Sequence, residues 1–162
     1  MPSPLYSAES LRASLPAVRL LDARPGDAAY AAGHLSGAVH ADLNRTLSSA
    51  LAPGADPANG GRHPLPPADV FAARLGAWGI TPDTTVVVYD DQGGANAAAR
   101  AWWMLRSLGH AKAFVLDGGL AAAREAGIPM TTDVPAIAPA PDYPQRGWQL
   151  PTTAIADVET RA

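Results

Sequence analysis

The residues best placed for chemistry lie in three acidic, glycine-bearing stretches that each follow an apolar run: 22–26 (DARPG), 90–95 (DDQGGA) and 117–119 (DGG). In the second stretch two glycines let backbone N–H groups turn inward, and the helical pattern behind them adds the partial positive charge of a helix N-terminus. A loop of that kind suits an anion. Asp90 and Asp91 stand at its mouth, however, and would repel a bound phosphate or sulfate by several kcal/mol when desolvated and by about 1 kcal/mol in water. The cradle is therefore expected to be filled from within, the Asp90 carboxylate being the anion that caps the helix. GGANAA departs from GxGxxG, and GxxxxGK[ST] is absent, so dinucleotide and P-loop chemistry drop out. Paired carboxylates after a strand also fit a magnesium-dependent phosphatase with an aspartate nucleophile. That chemistry wants Asp-x-Asp, and Gln92 stands two residues after Asp90, so it is the weakest reading.

Composition narrows the field further. The 162 residues suffice for one core of ordinary size; 48% are hydrophobic and 17% charged, as in a globular chain. A net charge of -3 leaves no basic surplus to coat nucleic acid or an anionic membrane, and neither is an expected partner. Without cysteine there is no disulfide, no thiolate metal ligand and no thiol nucleophile. The four histidines show no HxxxH spacing, so no metal site is expected. No apolar run approaches the roughly 20 residues of a membrane span. The opening Met-Pro-Ser-Pro lacks the basic start and apolar stretch of a secretory leader, which makes the cytoplasm the expected location.

The elements that must hold these loops alternate in type. Ser7 is read as the cap of a short helix with Leu11 and Leu15 on one face. Residues 18–21 form a buried strand, Asp27 caps a helix stopped by Gly33, and 38–40 form a short strand. Residues 44–66 are a long polar connection rich in Gly and Pro, a length that is unusual unless functional. Pro67 opens a helix in its first turn, with Val70, Phe71, Leu75 and Trp78 on one stripe. Residues 84–89 (TTVVVY) read as a central parallel strand, 95–108 as a strong helix, 113–116 as another buried strand and 120–126 as a short helix. Strand, loop, helix in repetition is the grammar of an α/β fold with a parallel sheet, whose ligands bind beyond the carboxyl ends of the strands. From residue 133 to 151 five prolines forbid continuous helix, so this is an extended linker or a strap over a surface. The compact domain is expected to span 1–132. Residues 133–162 would then be a Pro-rich interdomain linker and the truncated start of a second domain, read as a strand edge or helix start at 152–162. A tail that wraps its own domain is the alternative.

Taken together, LLDARP at 20–25, YAAGHLSGAVH at 30–40, GRHPLP at 61–66, VVVYDDQGGANAAARAWWMLRSLGH at 86–110 and VLDGGLAAAREAGIP at 115–129 carry a recognisable pattern. The chain resembles the rhodanese homology family, and more closely the N-terminal half of tandem thiosulfate and 3-mercaptopyruvate sulfurtransferases. The resemblance implies a small parallel sheet of about five strands with helices on both faces. It also implies a Cys, at the head of the loop after the central strand, that carries a persulfide inside a cradle of N–H groups. Asp90 stands where that Cys would be, so this chain should not itself transfer sulfur; Leu120 replaces a frequent Trp after LDGG.

The expectation is thus a non-catalytic N-terminal domain of a sulfurtransferase whose parent moves sulfane sulfur to a thiol or cyanide. Its partners would be the C-terminal catalytic domain of the same protein and a small anionic sulfur donor. A self-standing binding or regulatory module is the alternative. By the same resemblance, Arg62 and His63 lie at the interdomain cleft and are candidates for contact with the donor's charge. Asp22 and Arg24 are expected to form an ion pair, and His34 a buried hydrogen bond that fixes its loop. Asp90, Asp91, Gly93, Gly94 and Asp117 are expected to shape the strand-end loops. Trp102 and Trp103 should face different sides of their helix, and Trp148 should anchor the strap.

Overall fold

Val86–Tyr89 (β5) is shielded from solvent at every residue, which a β-branched run tolerates only with neighbours on both edges and layers on both faces. The computed structural model, which describes residues 3–56, 61–153 and 157–158, supplies both. Leu5–Tyr6 (β1), Arg19–Asp22 (β2), Val39–His40 (β4) and Ala113–Leu116 (β6) join β5 in a five-stranded parallel sheet, ordered β1-β6-β5-β2-β4. The helices are Ala8–Ser14 (α1), Asp27–Ala32 (α2), Ala68–Ala77 (α3), Ala97–Ser107 (α4) and Gly119–Glu125 (α5). His34–Leu35 (β3) and Met130–Thr131 (β7) form a separate antiparallel pair.

The pleat sorts side chains to two cores. Leu21, Val86 and Val88 pack with Phe71 and Leu75 of α3 and Met104 and Leu105 of α4. Leu20, Val87 and Tyr89 pack on the other face with Leu11 of α1 and Leu120 of α5. The expected α/β architecture with helices on both faces is what the chain adopts.

Several local expectations need correction. The second strand starts at Arg19, one residue later than read. Gly26, with φ of 86°, caps α2, while Asp27 lies in its first turn and pairs with Arg45. Pro67 sits one position before the first turn of α3, and α4 begins at Ala97, capped by Asn96. Val70 leaves the apolar stripe and is 39% exposed: a residue adjacent to Phe71 is turned by about 100° around the helix. The two-residue strands β1, β3 and β7 exist only through their partners, so no periodicity announces them.

From residue 133 the chain returns over α3 and the end of α4. Ala140 N–H donates to Gly76 O (2.8 Å), Tyr143 N–H to Ala72 O (3.1 Å) and Gln149 N–H to Ser107 O (2.8 Å). The prolines leave few donors, and these three go to helix carbonyls. Close approach is paid for in glycine: a Cβ at Gly76 would lie 2.6 Å from Pro141 O, and one at Gly79 2.7 Å from Ala138 O. Tyr143 is buried, and its hydroxyl donates to His110 Nδ1 (2.9 Å), whose Nε2–H donates to Thr84 O (2.9 Å). The two tryptophans do part company: Trp103 packs against Trp148 of the strap, at 6.1 Å between ring centroids, while Trp102 Nε1–H donates to Ala113 O (3.1 Å). The reading of 152–162 falls mostly outside the described residues.

Two outcomes follow. Gly76→Ala should lower stability by about 1–3 kcal/mol in urea unfolding, although alanine favours a helix interior over glycine by about 1 kcal/mol, because the strap must move. Burial holds the His110 imidazole below its ordinary pKa, with the charges of Arg106 and Lys112 pushing the same way against its hydrogen bond to Thr84. The unfolded chain then takes up the proton first as pH falls. His110's contribution is full above about pH 6.5 and is lost below it. Urea midpoints at about pH 7.5 and about pH 5 should differ less in His110→Asn than in the parent chain.

Candidate functional site

The carboxyl ends of β2 and β5 lie side by side, because Asp22 pairs with Tyr89 in the ladder. Asp22 is fully buried and takes Arg24 in a fork: Nε donates to Oδ1 at 3.0 Å, and a terminal guanidinium nitrogen donates to Oδ2 at 2.6 Å. Tyr89 O–H donates to Asp22 Oδ2 (2.9 Å), and Leu35 N–H donates to the Tyr89 oxygen (3.0 Å). The hydrogen bond to Asp22 holds the Arg24 guanidinium above its usual pKa against the cost of burial. Burial first, and then the Asp22 charge, drive the Tyr89 phenol far upward. Arg24 also reaches Gly33 O (2.8 Å). Beside it, His34 is buried against Tyr30, with ring centroids 3.7 Å apart; its Nδ1 lies 2.9 Å from Tyr30 O and its Nε2 3.1 Å from Asp133 O. These groups tie loop to loop and leave no reactive atom facing outward.

Asp90, directly after β5, is 1% exposed. Its Oδ1 accepts from Gln92 N–H (2.9 Å) and Gly94 N–H (2.8 Å), and its Oδ2 from Asn96 N–H (3.2 Å) and Ala98 N–H (2.9 Å). The last two belong to the start of α4, whose cap residue Asn96 makes no side-chain capping bond of its own. Asp90 therefore satisfies the helix end from six residues upstream. Glycine is required here on two counts. Gly94 has φ of 87°, with a virtual Cβ 2.6 Å from a Val115 methyl, and a Cβ on Gly119 would meet Asp90 O at 2.6 Å. Leu120 N–H donates to that same Asp90 carbonyl (2.9 Å), so the DGG loop closes over the cradle. Gly93, with φ of 69°, completes the turn. Asp91 points to solvent, and so does Asp117, which borders a separate groove with Ser7, Glu9 and Glu125.

Above the cradle opens a cleft of about 560 Å³ lined by Pro25, Leu43, Asn44, Arg62, His63, Asn96 and Arg100. Asn96 belongs to both places, since its N–H holds Asp90 while the residue lines the cleft. His63 Nε2–H donates to Asn44 Oδ1 (3.0 Å). Burial, with Arg100 and Arg62 adding to it, holds the His63 pKa below its ordinary value, so the ring is a neutral donor at physiological pH. Arg100 Nε donates to Leu47 O (2.9 Å), and burial holds its pKa down. The cleft thus offers two guanidinium groups and two carboxamides, a set suited to a small anion, while the N–H of the neutral His63 ring is taken by Asn44. Asp90 offers no nucleophile to it, because its oxygens are engaged by N–H donors. Among the described residues, no three His, Asp or Glu side chains gather as a metal site.

Arg62 and His63, the candidates for donor contact, line this cleft, and Asp90 adjoins it through Asn96; sequence reasoning did not single out Asn44, Arg100 and Asp42. Burial pushes the Asp42 pKa up, and hydrogen bonds from the Gly26, Arg45 and Asn44 N–H groups outweigh it, so its pKa falls below the usual carboxylate range. It thereby fixes the start of the long connection. Its signal was an acidic residue two before Asn44, the pattern of a local side-chain turn. Arg100 hid inside an alanine-rich helix, where spacing says nothing of a charge reaching back to carbonyls.

A model of the "Rhodanese-like domain" family matches residues 7–126. A Pseudomonas aeruginosa protein named "Probable 3-mercaptopyruvate sulfurtransferase" is 41% identical over 145 residues, which cover 83% of this chain and 49% of that protein. The thiosulfate sulfurtransferase of Bos taurus is 36% identical over 138 residues, 79% of this chain and 44% of that one. The solved 3-mercaptopyruvate sulfurtransferase from Leishmania major superposes with a TM-score of 0.75 at 31% identity, covering 90% of this chain and 41% of that chain. The chain spans half or less of the length of these relatives.

Asp90→Asn would turn an NH₂ toward backbone N–H groups. It should cost about 3 kcal/mol, the scale of charge-assisted hydrogen bonds lost in a buried site. The denaturant midpoint measures this, and an unchanged midpoint would contradict the cradle.

Proposed function

The chain belongs to the rhodanese-like domain family, and on that premise we propose that it is the non-catalytic N-terminal half of a tandem-domain sulfurtransferase. One observation carries the reading: the family's resemblance puts a persulfide-bearing Cys at position 90, and here a carboxylate stands there with both oxygens engaged by four backbone N–H groups. A chain without cysteine has no sulfur to carry a persulfide. Asp90 supplies permanently the negative charge that such a cradle otherwise receives from a thiolate or persulfide. The loop keeps its shape, and chemistry passes to a second domain that bears its own Cys.

In this reading the chain builds one wall of the interdomain cleft. Arg62, with Arg100 and Asn44 behind it, meets the carboxylate of 3-mercaptopyruvate or the anionic oxygens of thiosulfate, and His63, its one N–H held by Asn44, shapes the wall beside it. The parent protein moves the sulfane sulfur to a thiol or cyanide in the cytoplasm, with no metal or organic cofactor. An aspartyl phosphatase is not supported, since an attacking carboxylate needs a free oxygen and Asp90 has none to spare.

Two results are expected. The purified chain given thiosulfate and cyanide should form no thiocyanate above background; steady turnover would overturn the reading. In the natural protein that joins this domain to a Cys-bearing second domain, Arg62→Ala with His63→Ala should raise the donor KM about tenfold and move kcat less. That factor is the scale of one charge-assisted contact made equally in the ground and transition states.

A further inference from the structure

Residues 61–67, which carry Arg62 and His63, form neither helix nor strand, yet this end of the connection is tied to three separate parts of the molecule. Arg100 of α4 reaches Pro64 O (3.3 Å), Ser49 N–H donates to the same carbonyl (3.1 Å), and Trp148 Nε1–H donates to Pro66 O (3.1 Å). The last tether comes from the strap, 82 residues further along the chain. Trp148 is itself held. Its ring lies 5.8 Å from Phe71 of α3 and 6.1 Å from Trp103 of α4, and the next residues donate to Ser107: Gln149 N–H to its carbonyl (2.8 Å) and Leu150 N–H to its hydroxyl (3.1 Å). Only Pro64 and Leu65 separate Pro66 from His63, and with Pro67 behind, three pyrrolidine rings fix φ along this stretch. A stiff segment passes a displacement of the Pro66 carbonyl on to the imidazole. His63 in turn bonds Asn44, so its setting reports how the two arms of the connection meet.

We propose that Trp148 is a positioning residue for the cleft wall formed by Arg62 and His63: the seating of the strap sets where the anion-facing groups stand. This rests on the reading of the cleft only for what the wall contacts, not for how it is held. Within a tandem protein, the polypeptide that joins the two halves would thereby adjust the cleft between them.

The test uses the chain as it is. Trp148→Phe keeps an aromatic ring between Phe71 and Trp103 and removes the donor to Pro66. The expected result is a shifted His63 imidazole resonance and Ser49 amide exchange faster on the order of fivefold, the factor for one hydrogen bond of ordinary net strength. The His110 resonances should stay in place, because Tyr143 still holds the strap. Tyr143→Phe is the counterpart: it cuts the strap's bond to His110, and should move the His110 signals while leaving His63 and Ser49 unchanged. The proposal falls if Trp148→Phe leaves His63 and Ser49 as they were, or if Tyr143→Phe disturbs them equally. Should Trp148→Phe fail to fold, benzothienylalanine at 148 replaces the N–H by sulfur in nearly the same shape and is read by the same signals. None of these readouts involves sulfur transfer, so their failure is distinct from failure of the functional reading.

Discussion

Four backbone N–H groups converge on the Asp90 carboxylate, and neither the charge nor the donors around it can be rearranged cheaply. A nest of donors at a helix N-terminus demands a negative charge; a buried carboxylate demands donors. Each requirement satisfies the other inside one loop. The turn needs glycine at Gly94 to clear Val115, and the neighbouring loop needs glycine at Gly119 to clear the Asp90 carbonyl. The shape of the strand-end region follows from these contacts. The loop holds an anion, and that anion is a fixed part of the chain.

The buried Asp22–Arg24 ion pair does different work. Asp22, Arg24 and Tyr89 link β2, β5 and the turn before β3 into one unit. Burying one of these charges alone would be costly, and their mutual hydrogen bonds offset that cost. With Asp42 fixing the start of the long connection and Arg100 holding it at Leu47 and Pro64, the cleft is framed by polar contacts to backbone as well as by the apolar packing of Leu43, Leu47 and Leu65. That arrangement leaves Arg62 lining the cleft with its positive charge available for an anion, beside His63, whose N–H is held by Asn44.

Legibility differed by physical cause. The run TTVVVY announced a buried central strand because only a two-sided environment suits it, and the same logic located the strand-end loops. The role of Asp90 was legible from charge alone, since two carboxylates in an anion cradle exclude an outside anion. Two-residue strands were not legible, because their hydrogen bonds lie with distant partners. Asn44, Asp42 and Arg100 were hidden for a related reason: their importance lies in which backbone groups they reach, and sequence spacing does not record that. The glycines at 76 and 79 gave no sign of their use, which is to admit the carbonyls of a strap some sixty residues away.

The strap changes how the domain is held together. Tyr143 and Trp148 fill the outer side of α3 and α4, and its few N–H groups are used on helix carbonyls. Yet the cradle remains the point on which the functional account turns. A high-resolution crystal structure of the chain grown with thiosulfate tests it most directly. The account predicts the Asp90 oxygens against the N–H groups of Gln92, Gly94, Asn96 and Ala98, with any thiosulfate in the cleft above. Thiosulfate seated among those N–H groups, with the Asp90 side chain swung out to solvent, would contradict it.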